Sequence, residues 1–96
     1  MAAPRKTAAV AGPATPEGAA AALPEGWRDD MELFDLLCEL DAGSVAAIGP
    51  AMEKLSPACP VSAVREGLRG EDGIVRITAC RQWVYDVIEA ANAKNS

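Results

Sequence analysis

The chain has 96 residues, with 14 acidic side chains, 9 basic side chains and no histidine, and its net charge is −5. A chain of this length forms at most one small domain, which buries roughly 60–65% of its unfolded surface and is only marginally stable. The acidic balance disfavours nucleic-acid binding, because it repels phosphate. No apolar run approaches the roughly 18 residues of a membrane span, and no signal-peptide pattern is recognisable.

Three cysteines, Cys38, Cys59 and Cys80, lie far apart in the sequence. A zinc site usually needs cysteines or histidines paired at short spacing, and this chain has no such pair. The sequence therefore predicts reduced, partly buried thiols, with no metal ion and no other cofactor.

Residues 1–26 are rich in alanine, proline, glycine and threonine. Four prolines interrupt any helix that the alanines could start: Pro4, Pro13, Pro16 and Pro24. We expect residues 1–26 to form a disordered arm, either a solubilising tail or a docking segment that becomes ordered on a partner. A small helical domain should then occupy residues 27–93.

The first predicted helix spans residues 30–40 and ends near Gly43. Asp29 followed by Glu32 resembles a capping box, and acids in the first turn suit the helix dipole. The helix has a broad apolar face, made by Leu33, Phe34, Leu36, Leu37 and Leu40. Its opposite face, within the acidic segment from Asp29 to Asp41, is either a solvated surface or a binding surface.

The middle of the chain contains several breaks. Ser44 can cap a second helix over residues 45–48, which Gly49-Pro50 should break or kink before a further turn or two over residues 51–55. A third helix should begin at Pro60 or Val61 and close at Gly70, because proline is favoured in the first turn.

A tight turn is predicted at residues 71–73, followed by a short extended connector that packs Ile74 or Ile77 into the core. The last helix has the clearest pattern, from residue 78 to residue 91. Thr78 is expected to cap it. Its apolar positions recur with helical spacing: Cys80, Trp83, Val84, Val87, Ile88 and Ala91. Residues 94–96 should fray.

The predicted fold is therefore all-α, a small bundle of three to four short helices. Two apolar stripes of this width can cover one another, so we expect the first and last helices to pack together. The predicted core consists of Phe34, Leu37, Val64, Leu68, Trp83, Val84, Val87 and Ile88.

The sequence offers little for catalysis, and we predict no catalytic residue. Histidine, the commonest general base, is absent, and the glycines lack the strand and lysine of a phosphate-binding loop. A helix-turn-helix DNA-binding protein is an alternative, with residues 61–69 and the helix from Thr78 as its two helices. The linker between them is longer than that motif's roughly three or four residues.

Three segments together resemble the tail assembly chaperones of long-tailed bacteriophages. Residues 23–43, LPEGWRDDMELFDLLCELDAG, are similar to the acidic, leucine-rich opening helix of that family. Residues 68–78, LRGEDGIVRIT, resemble the connector before its last helix, and residues 83–91 resemble the closing amphipathic helix. The middle departs from the family, whose members often have a longer helix where this chain has Gly49-Pro50, Pro57 and Pro60.

This resemblance implies a non-enzymatic protein of the host bacterial cytoplasm. It would coat the tape measure protein and help to recruit tail tube subunits, with no nucleic-acid or membrane partner, and self-association is left open. The candidate partner-binding residues are Phe34, Leu37, Trp83 and Val87, with core packing as their alternative role. A second hypothesis is an acidic adaptor or inhibitor that uses helix 29–41 to occupy a basic site.

The resemblance also generates a prediction about the gene. Chaperones of this family are often made in two lengths, because some ribosomes slip backward near the end of the first reading frame. We expect an A-rich slippery heptamer, such as A-AAA-AAC, over the codons of Lys94 and Asn95, with an open second frame and a long tape measure gene downstream. Sequencing the locus checks this expectation, and AAG-AAT codons without an overlapping frame would contradict slippage.

Overall fold

The first helix lies in the segment that was expected to be a disordered arm. A computed structural model describes residues 12–94 and contains α1 at Pro16–Ala22. The Thr15 hydroxyl caps this helix by accepting a hydrogen bond from the Gly18 amide at 3.1 Å, and Pro16 occupies its first position. A proline there costs no hydrogen bond, so Pro16 starts the helix and does not interrupt it.

Helix α1 packs against the last helix, α5, which spans Ile77–Lys94. Ala19 and Ala20 are buried, and their small side chains allow the two backbones to approach closely. The Trp83 indole N–H donates to the Ala14 carbonyl oxygen at 2.9 Å and fixes the start of α1 on α5. The predicted start of the folded domain at residue 27 is therefore wrong. The hydrogen bond from Trp83 and the burial of Ala19 and Ala20 hold residues 12–26 in the fold. The prediction for residues 1–11 lies outside the described residues.

A short 3-10 helix at Trp27–Asp29 leads into α2 at Met31–Asp41. The cap of α2 is Asp30, one residue later than predicted. Its carboxylate accepts from the amides of Glu32 at 2.9 Å and Leu33 at 3.2 Å. The helix ends at a turn in which Gly43 has a φ of 98°, a left-handed conformation that glycine adopts readily.

Helix α3, at Ile48–Lys54, passes through the predicted break at Gly49-Pro50. Pro50 is its third residue, where the backbone N–H has no partner within the helix, so proline is tolerated. The residue before the helix is Ala47 and its side chain makes no capping bond, so the predicted cap at Ser44 is wrong. Met52 in this helix and Leu55, the residue directly after it, are both 0% exposed.

Helix α4 spans Val61–Gly67 and begins directly after Pro60, as predicted, although it ends three residues before Gly70. The turn that follows has Gly73 at a φ of 86°, and the Gly70 amide donates to the Ile74 carbonyl at 2.9 Å. Ile74 and Ile77 remain exposed, contrary to expectation. Val75 is half-buried against the core in their place.

The last helix is longer at both ends than predicted. It begins at Ile77, so Thr78 lies inside its first turn and does not cap it. Its backbone continues through Lys94, so the predicted fraying from residue 94 begins too early, and residues 95–96 lie outside the described part of the chain.

The all-α fold is confirmed: the described residues form five α-helices and one 3-10 helix, with a single isolated bridge and no strand. Helix α5 packs chiefly on α1 and α3, while α2 packs on α3. The first predicted helix therefore meets the last mainly through α3, and the hydrogen bond from Tyr85 to Asp41 joins the two directly. Of the predicted core, Val64, Trp83, Val84 and Val87 are buried, and Leu37, Leu68 and Ile88 are half-buried against it. The assignment of Phe34 to the core is wrong, because its side chain is 57% exposed.

Replacement of Val84, which is 0% exposed, tests which side of α5 faces the core. Val84→Asp places a carboxylate without a partner among apolar side chains, and it should cost several kcal/mol and unfold this small domain. Asp86, which accepts a hydrogen bond from Gln82 on the outer side, provides the control. Asp86→Ala should cost about 0.5 kcal/mol or less. Thermal denaturation followed by circular dichroism measures both, and equal losses would contradict this orientation.

Candidate partner-binding surfaces

The four residues predicted to contact a partner do not share one surface. Trp83 and Val87 are 3% and 0% exposed, because they lie on the side of α5 that packs against α1 and α3. Both belong to the core, so their assignment as partner-binding residues is wrong for this folded state. Leu37 is half-buried. Phe34 is 57% exposed and is the one member of the set whose ring faces solvent.

Phe34 belongs to an exposed apolar stripe on α2. Met31 is 65% exposed, and the exposed Cys38 lies one turn beyond Phe34, so the three side chains follow one side of the helix. Asp35 and Glu39 lie beside this stripe at helical spacing. An apolar stripe next to hydrated carboxylates can pack against an apolar partner helix and keep the complex soluble.

Part of the acidic charge on α2 is already paired within the chain. The Lys54 ammonium, at the end of α3, lies 2.9 Å from an oxygen of Asp30 and 2.7 Å from one of Glu32. The hydrogen bond from Lys54, with those from the Leu33 and Glu32 amides, holds the pKa of Asp30 below its ordinary value of 3.8. The two carboxylates, Glu32 first, raise the pKa of Lys54 in turn.

The other end of α2 is attached to α5 by Asp41. The Tyr85 hydroxyl donates to an oxygen of Asp41 at 2.7 Å. This hydrogen bond, followed by burial and by the charge of Asp41, raises the pKa of Tyr85, and the nearby Arg81 opposes the shift. Three of the acids between Asp29 and Asp41 are thus engaged with other elements of the fold.

A cleft of about 420 Å³ between α2 and α3 is lined by Glu32, Asp35, Leu36, Pro50, Glu53 and Lys54. Lys54 is bound to Glu32, whereas Asp35 and Glu53 make no ion pair among residues 12–94. The side chains that line the cleft therefore carry a net negative charge. The cleft is the place where a basic side chain of a partner would be attracted most directly.

Sequence reasoning missed a second exposed apolar cluster. Val45 and Ile77 are 52% and 54% exposed, and both line a small groove between the segment before α3 and the start of α5. Ile74 is 48% exposed and lies outside that lining. The β-branched run of residues 74–77 was a signal for this cluster, but it was interpreted as a segment that packs inward.

The geometry gives little support to a helix-turn-helix. Residues 68–76 separate α4 from α5, and α5 buries Trp83 and Val84 instead of presenting them. On its outer side α5 carries Asp86 and Glu89, which repel phosphate. Arg81 is half-buried, and its Nε is buried without a hydrogen-bond partner in the described chain.

Within residues 12–94, the cysteines are free thiols, and no group of three side chains is placed to hold a metal ion. No helix in this part of the chain is both long enough and apolar enough to cross a membrane. No protein-family model, curated protein or solved structure matches the sequence.

The link between Asp30 and Lys54 predicts a pH dependence of stability. Because folding lowers the pKa of Asp30, its stabilising effect is complete well above pH 3.8 and is lost as the pH falls through and below that value. Asp30→Asn keeps an oxygen that can cap α2 but removes the charge. The variant should melt below the wild type at neutral pH, and the difference should shrink as the pH approaches 3, in denaturation curves recorded across this range.

Asp29→Asn is the matched control, because Asp29 makes no ion pair in residues 12–94. It should leave the acid titration of stability close to that of the wild type. An equal effect of the two substitutions would show that general acidity, and not the contact with Lys54, sets the pH dependence.

Proposed function

We propose that this protein is a non-enzymatic tail assembly chaperone of a long-tailed bacteriophage. It would coat the tape measure protein in the host bacterial cytoplasm and help to recruit tail tube subunits. The observation that carries the proposal is the exposed stripe of Met31 and Phe34 on an otherwise acidic helix. An apolar helix of a long, aggregation-prone protein can pack on such a stripe by the helix-in-groove mode.

The order of the elements supports the proposal. The opening helix α2 ends at the Gly43 turn, the connector turns at Gly73, and the amphipathic α5 closes the described chain. These elements coincide with the three segments through which the sequence resembles the chaperone family. The net charge of −5 would keep a coated complex soluble through mutual repulsion.

An acidic adaptor or inhibitor is the second candidate, and the cleft between α2 and α3 favours it. The uncompensated carboxylates of Asp35 and Glu53 could receive a lysine or arginine of a basic partner. Such a complex would depend on charge and weaken strongly with salt. A complex held by Met31 and Phe34 depends mainly on apolar burial and should resist salt.

Co-expression tests the chaperone function. A helical fragment of the tape measure protein from the same gene cluster should become more soluble when it is produced with this protein. Phe34→Ser should reduce the soluble fraction several-fold, because it removes the only aromatic ring, and with it a large part of the apolar area, that the stripe offers. Ile74→Ser is the matched control: it replaces a similarly exposed apolar residue, 48% exposed, away from α2, and should keep full activity.

Both variants must retain the wild-type melting curve for this comparison to hold. If the tape measure fragment is as insoluble in the presence of this protein as in its absence, the proposal is overturned. Salt-sensitive binding to a basic protein, lost in Asp35→Asn, would favour the adaptor. Salt-sensitive retardation of duplex DNA would favour the helix-turn-helix alternative.

A further inference from the structure

A groove of about 250 Å³ lies where α3, α4 and α5 meet, on surfaces that the α2 stripe does not share. Its lining consists of Val45, Ile48, Gly49, Arg65, Val75, Ile77 and Cys80. Ile48 and Cys80 are buried and form its floor, whereas Val45 and Ile77 are more than half exposed and form its rims. The groove is therefore lined mainly by aliphatic side chains and is open to solvent.

The size of the groove indicates what can enter it. Small-molecule sites usually have roughly 300–1,000 Å³, so this groove is small for a drug-sized ligand. It suits one or two side chains from a peptide segment that lies across it, as an amphipathic helix does.

Arg65 is the one charged residue in the lining. Neighbouring arginines are paired within the chain, Arg69 with Glu66 and Arg76 with Asp72. Arg65 makes no such pair in residues 12–94. A Cβ at Gly49 would lie 3.1 Å from its Nη2 atom, so the guanidinium rests against the backbone of α3. In a protein of net charge −5, the groove thus carries a local positive charge, and Glu53, the acid that lines the adjoining pocket with Arg65, forms no ion pair with it.

A second arginine, Arg81, lies on the same helix as Ile77 but outside the lining of the groove. Arg81 follows Ile77 by one turn of α5, so the two side chains lie on the same side of that helix. Its charge acts on the nearby Tyr85, but it forms no ion pair in the described part of the chain. A carboxylate that enters the groove would therefore meet the Arg65 guanidinium and no acidic side chain in the lining.

We infer that this groove binds an amphipathic segment of a partner protein that carries an aspartate or glutamate beside aliphatic side chains. The aliphatic side chains fill the space between Val45 and Ile77, and the carboxylate accepts hydrogen bonds from the Arg65 guanidinium. Such charge-assisted bonds are short and directional, so they select the acid as well as its position. Because the protein as a whole is acidic, the rest of its surface repels an acidic partner segment. That segment should therefore bind at this groove and not at other sites on the surface.

Two helical peptides of about four turns provide the probes. One combines leucine with glutamate, the other has the same leucine pattern with lysine, and both carry a fluorescent label. The full chain should bind the leucine–glutamate peptide in an anisotropy titration and the lysine peptide far more weakly. In methyl NMR spectra, the bound glutamate peptide should shift the signals of Val45, Val75 and Ile77.

Arg65→Glu should weaken binding of the glutamate peptide by about tenfold or more, since a charged hydrogen bond is lost and a repulsion is added. It should also improve binding of the lysine peptide. Arg28→Glu changes the net charge equally but near the opposite end of α5, where Arg28 donates to the Asn92 side chain and lies over the Trp27 ring, and it should have little effect on peptide binding. Ile77→Asp, at an exposed position, should fold normally and lose binding of the glutamate peptide.

Several results would overturn the inference. The inference fails if the glutamate and lysine peptides bind equally well, or if neither peptide binds. It also fails if Arg28→Glu weakens binding as much as Arg65→Glu does, or if the peptide shifts the NMR signal of Met31 and not those of the groove. Concentration-dependent shifts at the groove without peptide would assign it to a second copy of the chain. Because the groove shares no residue with the α2 stripe, Phe34→Ser should bind the glutamate peptide normally, which separates this test from that of the chaperone function.

Discussion

The buried side of α5 is the surface on which the rest of the protein assembles. Trp83, Val84 and Val87 are almost fully buried there, with α1 on one part of the helix and α3 on another. Neither covering helix could persist alone, because each has seven residues and isolated helices of that length are unstable in water. Their helical structure therefore depends on the apolar area that they share with α5.

The Trp83 indole has two roles in this assembly. Its ring supplies a large apolar surface to a core otherwise made of alanine and short aliphatic side chains, and its N–H needs a hydrogen-bond acceptor once it is buried. The Ala14 carbonyl provides that acceptor and orders the chain before α1. Gly18 allows the fold-back, because a Cβ there would collide with the carbonyl oxygen of Gly12. The hydrogen bond that the buried Trp83 indole needs thus determines the path of the chain before α1.

Local patterns in the sequence predicted α2, α4 and α5, because each has a periodic apolar face and recognisable end signals. Helix α1 was missed, although Thr15-Pro16 is itself a start signal, because its stability comes from contact with Trp83, far away in sequence. The break predicted at Gly49-Pro50 failed for a related reason: proline is tolerated only if the helix starts just before it, and packing of Met52 and Leu55 sets that start. Periodicity could not show which apolar faces would be covered, so Trp83 and Phe34 were grouped although only Phe34 is exposed.

A small alanine-rich body cannot bury all its apolar side chains, so exposure alone does not identify a binding surface. The arrangement of the exposed residues is more informative. Four of the large ones form two groups, Met31 with Phe34 on α2, and Val45 with Ile77 at the rims of the groove. Each group borders charge that the fold leaves uncompensated, the carboxylates of Asp35 and Glu39 in the first case and the guanidinium of Arg65 in the second.

The two surfaces therefore differ in the partner that each can accept. The α2 stripe favours apolar segments that are neutral or basic, whereas the groove favours apolar segments that are acidic, since like charges beside a contact oppose it. A protein with both surfaces can hold two chemically different segments at once, because no residue belongs to both. Under the proposed chaperone function, this separation would let a tube subunit and a tape measure segment bind without displacing one another.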